Sequence, residues 1–265
     1  MHMKIITWNV NGLRAVERKK ELQKLEKKQQ PDIFLLQEIK GNRDQFSDYL
    51  TDHDDYEQFY HSAQKKGYAG TGVWIRHDLL KKVKELSFHT DVPRAPNADE
   101  GRIAHVSFLY RKKTYDILSI YFPNGGKSED AWKEKLEFFD RVLDYMNVLR
   151  KKRHFVIVGG DMNVAHAQID LTRAKENDGR IGFHPDERAW MDRVIDADWA
   201  DVFRAKYPEK IVYSWWDMVT RARERNVGWR IDYFFLDDGE MKRVKKIEYL
   251  TKQMGSDHCP LLLEL

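Results

Sequence analysis

The stretch Phe155-Val156-Ile157-Val158-Gly159-Gly160-Asp161-Met162-Asn163 decides how this chain is to be read. Its four consecutive apolar residues, three of them β-branched, are too few for a helix and run straight into a glycine pair, which is the pattern of a short buried strand. An acid and an amide follow at the strand's end. The same arrangement recurs along the chain. Ile5-Ile6-Thr7-Trp8 meets Asn9 and Asn11, and Ile33-Phe34-Leu35-Leu36 ends in Gln37-Glu38. Ile231-Asp232-Tyr233-Phe234-Phe235 carries an acid inside an apolar strand, and Ser256-Asp257-His258 precedes the last apolar run. Taken singly, Asn9, Asn11 or Asp161 reads as a turn residue bonding its own backbone, Glu38 as an edge-strand charge, and His258 as a satisfied core histidine. Five strand ends that deliver Asn, Glu, Asp and His together point instead to one polar site.

Working outward, strand-like runs span Lys4 to Val10, Asp32 to Ile39, Thr71 to Arg76, Ile103 to Tyr110, Tyr115 to Phe122, Phe155 to Gly159, Ile231 to Leu236 and Leu261 to Leu265. Helical patterns cover Val16 to Gln30, stopped by Pro31, and Pro185 to Ala197, opened by its proline. A third covers Glu129 to Lys152, with Trp132, Leu136, Phe139, Val142, Leu143 and Met146 on one face. Several strands follow one another directly, so antiparallel pairs are expected, and helices should cover the outsides of packed mixed sheets rather than both faces of one parallel sheet.

The 265 residues, 42% hydrophobic, suffice for one α/β domain spanning 1–265, with Met1-His2-Met3 set aside as a cloning-derived start. No apolar run approaches the roughly 20 residues that cross a bilayer, and no secretory leader is legible, so a soluble, intracellular (cytoplasmic) protein with no membrane partner is expected. A single cysteine, Cys259, leaves no disulfide framework or cysteine-rich metal site. The net charge of +3, from 46 basic and 43 acidic residues, is too small to mark a nucleic-acid binder by itself. Basic runs are usually solvated faces; the Arg221 to Arg225 run is singled out because tryptophans flank it.

The polar inventory fits phosphodiester hydrolysis, which needs a hard cation, an activated water and donors on the phosphate oxygens. Glu38, with Asn11 and Asp257 as outer-shell or second ligands, offers the oxygens that magnesium or manganese prefers. Asp161 and Asn163 can orient a water. Asp232, flanked by Ile231 and Tyr233, must be paired, since burying an unpaired charge costs several kcal/mol, and His258 is its natural partner. That carboxylate would set the tautomer of an imidazole that bonds phosphate or shuttles a proton. No glycine-rich phosphate loop with its lysine and no nucleophilic serine motif is present, which leaves covalent or nucleotide-driven chemistry without support.

Seven blocks in order resemble the exonuclease III/AP endonuclease family: Thr7 to Ala15, Leu36 to Lys40, Lys66 to Gly72, Tyr121 to Asn124, Gly160 to His166, Asn226 to Tyr233 and Gly255 to Pro260. The resemblance implies a four-layer α-β-β-α sandwich of two mixed β-sheets flanked by helices, of the DNase I-like kind. It also implies a Mg2+ (or Mn2+)-dependent DNA repair phosphodiesterase, monomeric, that incises double-stranded DNA 5′ to abasic sites, acts as a 3′–5′ exonuclease and trims blocked 3′ ends. It makes Glu38 the principal metal ligand and places Asn9, Asn11 and Asp257 close to the metal. Asp161 becomes the water-activating base with Asn163 beside it, Tyr121 and Asn124 become phosphate contacts, and Asp232 with His258 becomes the paired acid and imidazole, the imidazole facing the phosphate. The identity of the base stays open at this level. Trp215, Trp229 and Ile231 match an apolar pocket for a sugar without its base, although tryptophans here also read as core anchors, Trp216 above all. Arg14, Ala15, Lys19, Gly67, Tyr68 and Asn177 match positions that grip the DNA backbone, and Arg223 and Arg225 lie where phosphate contact is expected.

Some positions depart from the family pattern. Lys127 stands where some relatives carry an arginine that reaches into the duplex, and Val219 with Met218 occupies the place of an inserted apolar side chain. Arg173 and Arg180 replace asparagines, and Asn11 replaces an aspartate. A phosphatase or phospholipase acting on small molecules or lipids through the same scaffold is the alternative; it would keep Glu38, Asp161, Asn163 and His258 but have no use for Arg14, Trp215 and Trp229.

Overall fold

Buried apolar runs that end in polar residues can share one site only if their ends meet, and the topology brings that about. The structure, a computed structural model, describes residues 3–265. One six-stranded sheet runs, in spatial order, Lys246–Tyr249 (β13), Leu261–Glu264 (β14), Lys4–Asn9 (β1), Ile33–Gln37 (β2), Thr71–Arg76 (β4) and Tyr56–His61 (β3). The other runs Lys84–His89 (β5), Ile103–Tyr110 (β6), Lys113–Tyr121 (β7), Phe155–Asp161 (β8), Asp232–Asp237 (β12) and Trp199–Asp201 (β9). Each sheet is mixed: β1–β2 and β7–β8 are parallel and the other pairs antiparallel. A two-stranded ribbon, Trp215–Trp216 (β10) with Gly228–Trp229 (β11), stands apart from both.

The sheets pack face to face over a core that includes Ile5, Leu35, Val73, Val106, Ile117, Ile157, Phe234 and Leu263. Outside the second sheet, Glu129–Lys151 and Pro185–Asp196 bury Phe138, Phe139, Val142, Trp190 and Met191 against Phe122 and Val158. Outside the first sheet, Leu13–Arg18 and Glu21–Gln29 bury Leu13, Val16, Leu22 and Leu25 against Trp8 and Phe34. Four layers result, α-β-β-α, as expected.

Three sequence readings are corrected. The Val16 to Gln30 pattern is two helices broken at Lys19 and Lys20, the latter left-handed (φ 58°). A continuous helix would turn Leu22 about a third of a turn away from Val16, so the break brings both apolar pairs onto the sheet. The buried stripe of Glu129–Lys151 includes Lys135, Phe138 and Leu149, while Trp132, Leu136 and Leu143 stay partly exposed. Met3 is a core residue: it is fully buried and exchanges backbone hydrogen bonds of 3.2 and 2.9 Å with Leu265. Met1 and His2, set aside with it, lie outside the described residues.

Candidate active site

The sheet register decides which polar side chains share an edge. Asp161 at the end of β8 faces Tyr121 on β7 and Asp232 on β12. In the other sheet Asn9 at the end of β1 faces Gln37 on β2, and Glu38 follows. Gly160 makes this approach feasible, since a Cβ there would stand 1.9 Å from the carbonyl oxygen of Ile120. The strand ends also leave ordinary backbone conformations: Asn11, Glu38, Lys40 and Asn163 all have φ between 45° and 52°. Left-handed non-glycine residues of this kind gather at functional sites.

The two sheets are tied together at this edge by Asn9, whose Nδ2 donates to Glu38 Oε1 and to Asp161 Oδ2, both at 2.9 Å. The backbone N–H of Asn163 donates to Asp161 Oδ1 at 2.8 Å. The His258 ring lies between two carboxylates, with Nδ1 2.9 Å from Asp232 Oδ2 and Nε2 3.8 Å from Asp161 Oδ2. All three groups are buried. Burial alone would lower the His258 pKa, but the charges of Asp232 and Asp161 outweigh it and raise it to about 10. Burial is also the largest influence on Asp161, which it raises to about 7 against the opposing pull of His258. Tyr121 is pushed well above the usual phenol range by burial and by the charges of Glu38 and Asp161, so it remains a neutral donor.

Glu38, Tyr121, Asn124, Asp161, Asn163, Asp257 and His258 line one cleft of about 280 Å³ with Trp215, Trp229 and Ile231. The carboxylates and the apolar wall therefore share one space. Asn9 lies under the cleft and Asp232 behind His258. Trp216 is an interior anchor, 3% exposed, whereas Trp215 and Trp229 are partly open.

The expected trio of Glu38, Asn11 and Asp257 divides. One ligand atom each from Glu38, Asp161 and His258 lies within 4.8 Å of the others. Asn11, by contrast, accepts from Lys40 Nζ at 2.5 Å and donates to Asp257 Oδ1 at 2.9 Å. Asp257 Oδ2 takes the indole N–H of Trp215 at 3.1 Å. Lys40, given no role in the sequence reading although it ends the Leu36 to Lys40 block, pairs with Glu38 Oε2 at 2.7 Å. A second clustering, of Glu26, His53 and Asp55, has the same compactness. There His53 Nδ1 accepts the Asp55 backbone N–H at 3.0 Å, which puts the ring proton on Nε2, the nitrogen facing Glu26, and leaves it no lone pair for a metal.

Of the residues expected to grip DNA, Arg14, Ala15 and Gly67 line a neighbouring open groove with Lys40. Lys19 Nζ donates to the Gly255 carbonyl. Arg173 and Arg180 are exposed. Val219 is 91% exposed, consistent with a projecting apolar tip. Lys127 lies over the Tyr68 ring at 4.4 Å and donates to its hydroxyl, so it is drawn back rather than extended. Asn177 turns its amide to the carbonyls of Thr172 and Arg173. Arg223 also has a structural role: its guanidinium donates to the carbonyls of Ser256, Thr251 and Gln253 and stacks on Trp216, so it holds the loop that carries Asp257. Sequence reading also passed over Ile181 and Gly182, which line the cleft beside Trp229.

Known proteins resemble this chain in sequence and fold. The model of the endonuclease/exonuclease/phosphatase family matches residues 6–258. An exodeoxyribonuclease of Bacillus subtilis (strain 168) is 35% identical over 262 residues, 98% of this chain and 98% of its own length. The DNA repair nuclease APEX1 of Danio rerio is 32% identical over 267 residues, 100% of this chain and 82% of its own. The crystal structure of AP endonuclease LMAP from Leishmania major superposes with a TM-score of 0.89 at 28% identity, covering 100% of this chain and 87% of that one. With the fold and the matched length in agreement, this chain belongs to the endonuclease/exonuclease/phosphatase family, on its exonuclease III/AP endonuclease branch.

Proposed function

We propose that this protein is a DNA repair phosphodiesterase that incises duplex DNA 5′ to abasic sites and trims 3′ ends, with magnesium or manganese as its cation. The observation that carries the reading is the sharing of one cleft by Asp161, His258 and Glu38 with an apolar wall of Trp215, Trp229 and Ile231. A phosphatase acting on small molecules would need the first set and gain nothing from the second. A flipped sugar that lacks its base has little stacking to lose and fits an apolar recess that a full nucleotide overfills. The names of the similar proteins, among them nucleases and AP endonucleases, support the same class.

Members of this family depend on a divalent cation, and the donors present fit one. Glu38 and Asp161 offer hard carboxylate oxygens, the kind magnesium and manganese take. Glu38 would hold the cation, which supplies charge neutralisation on the phosphate. The protein groups act around the phosphate. Asp161, kept near neutrality in its pKa by burial, accepts the proton of the attacking water. His258, kept protonated by Asp232, donates from Nε2 to a phosphate oxygen, and the neutral Tyr121 and Asn124, which line the same cleft, donate to it as well. Asn163 holds Asp161 in place through its backbone N–H.

No helix among the described residues is long and apolar enough to cross a membrane. A single buried thiol, Cys259, fits an intracellular site of action. The test compares hydrolysis of a labelled duplex that carries one tetrahydrofuran abasic analogue with that of inositol phosphates, each in magnesium and in EDTA. A nick 5′ to the analogue that needs magnesium is expected; activity on inositol phosphates alone overturns the reading.

A further inference from the structure

Lys135, a residue type that ordinarily faces water, sits in the second turn of Glu129–Lys151 on its apolar face, three residues after Trp132 and four before Phe139, and is fully buried. Its ammonium makes two hydrogen bonds and one ion pair. It donates to the carbonyl oxygens of Asn124 and Asn163, both at 3.1 Å, and pairs with Glu187 Oε1 at 2.5 Å. Both carbonyls belong to residues whose side chains line the cleft, one on the loop after β7 and one on the loop after β8. Glu187, also fully buried, is fixed in turn: its other oxygen accepts the His184 backbone N–H at 2.9 Å and caps Pro185–Asp196. The lysine stem is tightly fitted as well, since a Cβ on Gly125 would come within 2.9 Å of Lys135 Cδ.

Stability alone does not account for this arrangement. Taking an ammonium and a carboxylate out of water costs several kcal/mol per ion, and well-packed apolar replacements for such pairs are often neutral or stabilising. What an apolar pair cannot do is hold two carbonyls at a fixed separation. We propose that Lys135 is a positioning residue of the cleft: from beneath, it clamps the backbones of Asn124 and Asn163 so that the two loops face one phosphate in register. Asn163 in turn orients Asp161 through its N–H and holds the Phe122 carbonyl through its side chain at 2.8 Å. The ammonium touches no substrate and acts only through these neighbours. This inference rests on the phosphodiesterase reading above and adds to it the element that sets the spacing of the two loops after β7 and β8 that line the cleft.

Lys135→Met alone strands a buried carboxylate and is expected to unfold, so the informative variant is Lys135→Met/Glu187→Met, in which both charges go. It should melt within a few degrees of the parent and bind the tetrahydrofuran duplex in EDTA within about threefold. In magnesium its kcat should fall roughly 10- to 100-fold with KM little changed, the size expected when reacting groups shift by about an ångström. Adding Asn124→Ala to the double variant should cost much less than the same substitution costs the parent. Glu187→Gln, whose amide oxygen can still face the ammonium and which leaves the lysine on its two carbonyls, should melt lower but, assayed below its melting temperature, keep kcat within about threefold. A folded double variant with parental kcat would overturn the proposal, and so would a full additive loss from Asn124→Ala. A Glu187→Gln loss as large as that of the double variant would overturn it too, because the ion pair and not the carbonyl clamp would then matter. These outcomes require a parent that nicks the abasic duplex; a parent that does not removes the phosphodiesterase reading itself.

Discussion

Replacing Asp232 by Asn tests the electrostatics of the site. The amide keeps an acceptor for His258 Nδ1 and nearly the same shape, but removes a charge 2.9 Å from the ring. Two unit charges about 4 Å apart interact by about 4 kcal/mol at an effective dielectric of 20, which is about 3 pKa units. The imidazole, held at about 10 in the parent, should therefore titrate near about 7 in Asp232→Asn. Protonated His258 is the form that donates to phosphate, so the loss depends on pH. At about pH 6 the variant should cleave the abasic duplex nearly as fast as the parent. At about pH 8 only about a tenth of the ring remains protonated, and kcat/KM should fall by about tenfold, with the alkaline limb displaced to lower pH. The assay is kcat/KM for the tetrahydrofuran duplex in saturating magnesium across this range. A loss of equal size at every pH would refute the reasoning, because Asp232 would then orient the ring without holding its charge.

Other predictions follow from separate parts of the molecule. Trp229→Ala should narrow the preference for abasic over intact duplex roughly tenfold, as wall area of the cleft is lost, read as the ratio of the two kcat/KM values. Phe122→Ala, which removes a fully buried ring packed on Phe138, Phe139 and Trp190, should cost about 3–5 kcal/mol in urea unfolding. Asp170 accepts from Arg230 at 2.7 and 3.0 Å; burial would raise its pKa, but Arg230 and Arg204 outweigh that and hold it below the usual carboxylate range. Its contribution to stability is thus complete above about pH 4 and lost as pH falls through the lowered value. Asp170→Asn should be less stable at neutral pH by about 3–5 kcal/mol and show a shallower acid limb in pH-dependent melting.

Much of this molecule could be read before folding because its informative residues are local. Thr71–Arg76 and Ile103–Tyr110 have bounds identical to those read from β-branched and aromatic content, since both are central strands buried along nearly their whole length. Tyr56–His61, Lys84–His89 and Lys246–Tyr249 were missed for the opposite reason. They lie at sheet edges or alternate with solvent, where charged and polar residues are favoured. The pairing of Asp232 with His258 was legible because an acid inside an apolar strand requires a partner. Lys135 was not, because its partner Glu187 lies on another helix, far along the chain, and a lysine in a helical pattern reads as solvent-facing. Arg223 was legible only in part: its aromatic neighbours mark it for phosphate contact, and only the path of the 251–256 loop shows that three of its five N–H donors go to backbone carbonyls.

The central claim is that strand ends from two sheets gather around one divalent cation beside an apolar recess. Diffraction from manganese-soaked crystals, with anomalous maps from the parent and Glu38→Ala, measures it most directly. An anomalous peak on the Glu38 carboxylate, within the cleft walled by Trp215 and Trp229 and absent in the variant, is the predicted result. A peak at Glu26, His53 and Asp55 instead, with none beside Glu38, would contradict it.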